Sequence, residues 1–218
     1  MTPVARLGVL GGTFDPIHVG HVAAASAARH VLALDRVLLM PTHVPPHRAM
    51  QPQASPFHRF AMAALAAQAD PAFAASDLEL QAPGPTFTST TLARLAACGY
   101  SPLQIFFITG ADAFADIDTW RDYPALLEHG HFVVISRPGC PAAGLRKTLP
   151  ALAPRMVDAG TAVPSVPSIL LVDTSTPDVS STAIRRRASE GAGLDSLVPP
   201  AVAAHIHRYR LYSGRSVA

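Results

Sequence analysis

The segment Gly-Gly-Thr-Phe-Asp-Pro-Ile-His-Val-Gly-His at 11–21 follows a short apolar run and leads into a long Ala-rich stretch. It reads as a strand entering a Gly-Gly turn, then a loop fixed by Pro16, then the first turn of a helix. Gly11 and Gly12 let a phosphate come close to the backbone, and the unpaired N–H groups at the start of the next helix attract negative charge. His18 and His21 lie three residues apart, so in a helical first turn they project from one face, where each imidazole can donate to a phosphate oxygen. Gly20 between them leaves room for a nucleotide against the helix. Other chemistries fit less well. A zinc site lacks Cys, Asp or Glu at a spacing that completes a tetrahedral set, the GxGxxG dinucleotide spacing is absent, and no Lys follows the glycines as a Walker loop requires.

Three further segments carry groups of the same kind. Val-Ser-Ser-Thr-Ala-Ile-Arg at 179–185 reads as a helix start with Ser180 or its neighbour as N-cap. Thr182 and Arg185 fall in its first turn or just after, and an Arg there opposes the helix dipole unless an anion compensates it. Thr109, Gly110 and Asp112 follow an apolar run and so sit at another strand end, where Asp112 in isolation reads as a helix cap. The single tryptophan, Trp120, stands in the polar stretch Asp-Ile-Asp-Thr-Trp-Arg-Asp-Tyr, with the buried amphipathic ring as the ordinary reading.

The elements that must position these groups alternate in type. Short β-like runs at 6–10, 37–40, 105–108, 132–135 and 169–172, with a weaker one at 76–80, are separated by helix-like spacing at 18–34, 57–69, 88–97, 123–129, 182–189 and 200–209. This alternation predicts an α/β fold: a doubly wound, mostly parallel sheet covered on both faces, with a small C-terminal helical part at 178–218. Ligands bind such a sheet at the carboxyl ends of its strands. The 218 residues suit a single domain. Pro- and Gly-rich joins at 41–56 and 137–144 mark loops, and the stretch 142–167 has no clear period.

Composition narrows the function. No run approaches the roughly eighteen apolar residues of a membrane span. The N-terminus, with Arg6 inside its first apolar run, is not a secretory signal, so a cytoplasmic protein is expected. Cys98 and Cys140 stand apart and form no CxxC pair. A formal net charge of +2 is too small for nucleic-acid binding as the main activity and suits a small anionic ligand. Among seventeen basic residues Lys147 is the one lysine, which excludes mechanisms needing a lysine elsewhere.

Taken together, GGTFDPIHVGH resembles the signature of the HxGH nucleotidyltransferases. The rest of the chain resembles the bacterial nicotinate-nucleotide adenylyltransferases, through PTHVPPHR at 41–48, PTFTSTTL at 85–92, ITGADAFADIDTW at 108–120, FVVISRPG at 132–139 and SSTAIR at 180–185. The resemblance implies a Rossmann-like nucleotidyltransferase fold and transfer of AMP from ATP to nicotinate mononucleotide, giving nicotinate adenine dinucleotide and pyrophosphate in NAD biosynthesis. It implies that His18, His21 and Arg185 act on the phosphates. Gly11, Gly12, Thr13, Phe14, Gly110, Asp112, Arg137, Ser180 and Thr182 would bind ATP, with Ser180, Thr182 and Arg185 at the β- and γ-phosphates and Gly110 and Asp112 at the adenosine. For the acceptor, Trp120 would stack on the pyridine ring with Phe87 and Thr88 nearby, and His47 and Arg48 would clamp the mononucleotide phosphate. The family usually carries Tyr where this chain has Phe87, so a hydroxyl is missing there. A divalent ion, Mg²⁺, is expected on the triphosphate, held mainly by phosphate and water, and a homo-oligomer is compatible with the sequence.

Two rival readings remain at this level. One is a related adenylyltransferase acting on nicotinamide mononucleotide or another phosphate acceptor, though phosphopantetheine has no ring for Trp120 to stack on. The other is a non-catalytic nucleotide-binding module or a synthetase fragment, which the absence of a lysine-rich C-terminal loop disfavours. Because no Asp or Glu stands immediately beside Phe87, donors are expected to dominate around the ring, and the acid acceptor should be preferred to the amide. Asp116, Asp118 and Asp122 around Trp120 are the residues able to reverse that preference.

Overall fold

The computed structural model describes residues 4–44, 52–81 and 84–213. Its elements in chain order are β1 (Leu7–Gly12), α1 (Val19–Leu32), β2 (Arg36–Pro41), α2 (Pro56–Ala67), β3 (Phe73–Ala75), α3 (Thr88–Ala97), β4 (Ile105–Gly110), α4 (Ala111–Phe114), β5 (His131–Ile135), α5 (Leu145–Thr148), β6 (Met156–Asp158), β7 (Ile169–Val172), α6 (Ser181–Ser189) and α7 (Pro200–Arg208). Seven strands form one sheet in the order β3-β2-β1-β4-β5-β7-β6, and every pairing is parallel. From β1 the chain winds outward to β2 and β3, then crosses back and winds the other way through β4. The switch point therefore lies between β1 and β4, and it is their carboxyl ends that open a crevice.

Strand periodicity sorts the core into two layers. On β1, Leu7 and Val9 enter the layer that also holds Leu92, Phe107 and Leu126, whereas Leu10 enters the layer built by α1, α2, α6 and α7. Gly8 faces the second layer, where a Cβ would stand 2.8 Å from the Leu34 side chain, so that face tolerates no side chain. Every residue of β5 is buried, and so is all of β4 except Gly110, which is the pattern of strands covered on both faces. Each fully buried Phe, Leu or Ile on them contributes about 1.5–3 kcal/mol. In α1 the buried positions are mostly Ala (Ala24, Ala25, Ala28), so the helix lies close to the sheet. Ile184, Leu194, Val202 and Ile206 from the C-terminal part join the same layer.

Two local expectations need correction, and the stretch without a clear period resolves into short pieces. The weak strand expected at 76–80 is instead β3 at Phe73–Ala75, and 78–81 form a turn. The real strand is an edge of three residues, two of them Ala, too small to register as a β run. The helix expected at 123–129 is a 3-10 turn at Ala125–Glu128, because Pro124 disfavours a helical conformation at Tyr123. Within 142–167 lie α5, two 3-10 segments and β6, another short edge strand. There Pro150 and Pro154 keep the helical pieces short, and only scattered residues such as Leu145, Leu152 and Met156 are buried.

Candidate active site

The loop leaving β1 is held from below by two buried ionic side chains. Arg59 on α2 is fully buried and donates through Nη1 to the carbonyls of Thr13 (2.8 Å) and Thr42 (2.6 Å), and through Nη2 to that of His43 (3.1 Å). Asp15, 3% exposed, accepts from the amides of Gln53 and Ala54 and from the Tyr212 hydroxyl at 2.9 Å. Neither residue was singled out in the sequence. The available signal was an arginine at 59 on the face that carries Met62, Ala63 and Ala66, a buried charge that needs a reason.

Above them, His18 caps α1 and His21 occupies its first turn. Their rings stack at 3.7 Å, and the Phe14 ring meets His21 edge-on at 5.1 Å. The His18 amide donates to His21 Nδ1 at 3.2 Å, so in the neutral ring the proton lies on Nε2. Burial, reinforced by the charge of Arg137, lowers the pKa of His18 to about 4. Neutral His18 therefore offers one donor, not two, and its buried Nδ1 has no partner among the described residues. Phe14, with positive φ and 1% exposure, supports His21 from the core. At Gly20 a Cβ would stand 3.1 Å from His18 Nδ1 and 3.2 Å from the Pro177 carbonyl, so the missing side chain makes room for the His18 ring and a neighbouring chain segment.

Arg185 reaches this loop from α6. Its Nη1 donates to the Asp15 carbonyl at 2.8 Å and lies 3.8 Å from Asp15 Oδ2, while Nη2 donates to Thr182 Oγ1. Ser181 adds a bond to the Pro16 carbonyl. Ser180 is the N-cap, its Oγ accepting from the Ala183 amide. Both Ser180 and Thr182 thus spend acceptor capacity within the chain and keep hydroxyl protons for an anion. Across the switch point, Gly110 is the N-cap of α4, and Asp112 stands in its first turn without capping it, contrary to the simple cap reading. A Cβ on Gly110 would collide with Asp112 Oδ1 and stand 3.2 Å from Arg137 Cγ, so both side chains converge over this glycine. Arg137 also borders a second cavity of 530 Å³ at the ends of β5 and β7, with Ser136, Asp173 and Thr176. Nothing in the spacing of Ser136, Asp173 and Thr176 along the chain signals that group beyond Arg137 itself.

The first cleft, 310 Å³, opens directly over the β1 end. It brings Gly11, Gly12 and Thr13 together with Phe87, Thr88 and Trp120, six residues assigned separately from sequence, and adds Thr42, Glu79, Thr86 and Arg121. Trp120 is half-buried against Phe107, edge-on at 6.2 Å, and the Arg121 guanidinium covers the Phe87 ring at 4.7 Å. Asp116, Asp118 and Asp122 are exposed and do not line this cleft. The carboxyl that does is Glu79, which spacing placed eight residues from Phe87 and which only the fold brings near it. His47 and Arg48 lie outside the described residues. Among the described residues no three His, Cys, Asp or Glu side chains converge to hold a metal ion, and no helix is long and apolar enough to cross a membrane.

Comparison with known proteins agrees with this geometry. The cytidylyltransferase-like family matches residues 9–187. A probable nicotinate-nucleotide adenylyltransferase of Symbiobacterium thermophilum is 40% identical over 209 residues, covering 96% of each chain. Another, from Thermus thermophilus, is 40% identical over 207 residues and covers 95% of this chain and 99% of the relative. In fold, the chain matches Plasmodium falciparum nicotinic acid mononucleotide adenylyltransferase complexed with NaAD at a TM-score of 0.72 and 16% identity, over 97% of this chain and 99% of that one. On its family match and its near-full-length relatives, the chain belongs to the cytidylyltransferase-like family, among the nicotinate-nucleotide adenylyltransferases.

Proposed function

We infer that the chain transfers AMP from ATP to nicotinate mononucleotide, releasing pyrophosphate and forming nicotinate adenine dinucleotide in NAD biosynthesis. Family membership carries the reaction type. One structural observation supports the layout: the aromatic cleft of Phe87 and Trp120 meets the Gly11–Gly12 turn at the sheet's switch point, beside the His18, His21 and Arg185 group.

In this reading, ATP lies across His18, His21 and α6, with adenosine toward Gly110, Asp112 and Arg137, and the acceptor occupies the 310 Å³ cleft. A phosphate oxygen of the mononucleotide attacks the α-phosphorus, and the bond to the bridging oxygen of pyrophosphate breaks. The nucleophile is already anionic, so catalysis comes from in-line positioning and charge stabilisation. The proton on His21 Nε2 and the single proton of neutral His18 donate to phosphate oxygens as charge develops. Arg185, with the hydroxyls of Ser180 and Thr182, holds the departing pyrophosphate. Mg²⁺ carried by the triphosphate would offset its charge, with no protein cage required of the described residues.

Nicotinamide mononucleotide remains the rival acceptor on one observation, the presence of Glu79 in the cleft. Pyrophosphate release from ATP across a panel of phosphate acceptors tests the assignment. Turnover is expected with pyridine mononucleotides and not with phosphopantetheine; the reverse order would overturn the acceptor reading.

A further inference from the structure

Glu79 is a buried acid without an assigned task. It sits in the turn at 78–81, is 6% exposed, and lines the same cleft as Phe87, Thr88 and Trp120. Its Oε1 accepts from the Thr91 hydroxyl at 2.7 Å, but its buried Oε2 has no hydrogen-bond partner among the described residues. An oxygen left unmatched in this way costs stability unless something else uses it. The Thr86 hydroxyl in the cleft wall and the Ser89 hydroxyl in the first turn of α3 are likewise buried and without a partner among the described residues. The cleft is thus bordered by two polar atoms, on Glu79 and Thr86, that no described residue satisfies. Thr88 and Ser89 open the ten-residue helix α3, whose first amides have no acceptor within the helix. An anion at that end is favoured, and a second negative charge within the same cleft opposes it.

We propose that Glu79 is a specificity-determining residue for the acceptor: as a neutral acid it accommodates the ring carboxylate of nicotinate mononucleotide, and once ionised it repels that anion and accepts from the carboxamide NH₂ of the nicotinamide form. The proposal rests on the acceptor reading above. Nicotinate and nicotinamide differ little in shape, so a site separates them by charge and hydrogen-bond polarity. One titrating carboxyl supplies both polarities in turn.

Which form Glu79 takes is set by its surroundings. Burial raises its pKa to about 7, against the hydrogen bond from Thr91, the nearby Thr42 hydroxyl and the charges of Arg94 on α3 and Arg59 on α2. Arg121 also lines the cleft, and His43 follows Thr42 on the neighbouring segment. Below pH 7 the acid form dominates and the ring carboxylate meets no opposing charge. Above it the carboxylate forms, and acid binding must draw a proton back into the cleft. The mononucleotide phosphate has its own ionisation near pH 6, but both acceptors carry it, so it cancels in their ratio.

The test is the ratio of kcat/KM for nicotinate over nicotinamide mononucleotide at saturating ATP from pH 6 to 8.5, paired with calorimetric Kd values for each mononucleotide. In the unaltered protein the ratio is expected to fall about tenfold or more across this range, as one unit of coupling to a like charge implies. Glu79→Gln keeps an oxygen for Thr91 and cannot ionise, so its ratio should stay flat. A flat ratio in the unaltered protein overturns the proposal without recourse to any variant. A slope that persists in Glu79→Gln also overturns it and moves the effect to another group, such as His43. If neither mononucleotide binds at any pH, the acceptor reading itself fails, an outcome distinct from binding of both with an unchanging ratio.

Discussion

Arg185 Nη1 donates to the main-chain carbonyl of Asp15 at 2.8 Å, joining residues 170 positions apart in the chain. The same carboxylate that receives its charge also accepts from Tyr212 near the C-terminus. The phosphate loop after β1 is thereby clasped by the last third of the chain. Arg185 stands midway along α6, and its charge is matched by Asp15 within the protein itself.

Arg185→Ala should raise the KM for ATP and lower kcat/KM for ATP by about ten- to a hundredfold, the range of a lost charge-assisted hydrogen bond. His21→Ala should instead lower kcat, by about a hundred- to a thousandfold, since its donor acts where charge develops. Steady-state kinetics of both folded variants checks the division. A change confined to the acceptor KM in Arg185→Ala would place that residue in the other half of the site.

Stability should rise with pH through the acidic range. His18 and His131 are buried, and each has a folded pKa of about 4, lowered first by desolvation and then by Arg137 and Arg6 respectively. Unfolded histidines titrate near 6.5, so between about pH 4 and 6.5 the unfolded chain binds more protons, and lowering the pH removes stability. Glu79 works in the opposite sense: its folded pKa of about 7 lies above the carboxylate reference of 4.5, so stability falls as pH rises through that window. Each shift corresponds to roughly 3 kcal/mol, and two against one leaves a net gain of about that size toward neutrality. Glu79→Gln removes the opposing arm and should make the chain more stable than the unaltered protein at pH 8 while matching it near pH 4.5. Urea midpoints at several pH values decide this; equal destabilisation at every pH would contradict it.

Gly110→Ala should weaken ATP binding selectively. The new methyl would overlap Asp112 Oδ1 and press on the Arg137 side chain, and side chains can swing aside more readily than backbone. The fold should survive with a small change in Tm, while the KM for ATP rises severalfold or more and the acceptor KM moves little. Equal changes in both constants would show that Gly110 serves the whole cleft.

Trp120→Ala should have the converse signature. Loss of an aromatic stacking partner costs about 1–3 kcal/mol, so the acceptor KM is expected to rise about ten- to a hundredfold with the ATP KM nearly unchanged. Trp120→Phe should recover much of the loss. If Trp120→Ala leaves the acceptor KM unaltered, the ring does not lie in this cleft.

The parts of this protein legible in its sequence are those whose cause is local. β1 through the Gly-Gly turn, the His18–His21 pair at a helix start, the Ser180 cap and the alternation of β and α follow from neighbouring residues, because periodicity, turn chemistry and capping act over one or two turns. The expected doubly wound sheet follows from that alternation, and the structure makes it parallel throughout. Long-range packing decided the rest. Which nitrogen of His21 carries a proton depends on His18, and the neutral state of His18 depends on its burial near Arg137 from another strand end. Arg59 reads in sequence as one more helix residue, yet it ties the loops at Thr13, Thr42 and His43 together. Glu79, too far along the chain from Phe87 to be counted beside it, becomes a wall of the same cleft when Thr91 and Arg94 of α3 bind the turn at 78–81. Desolvation, ion pairing and convergence on a shared cavity depend on distance in space, and only the folded chain sets that distance.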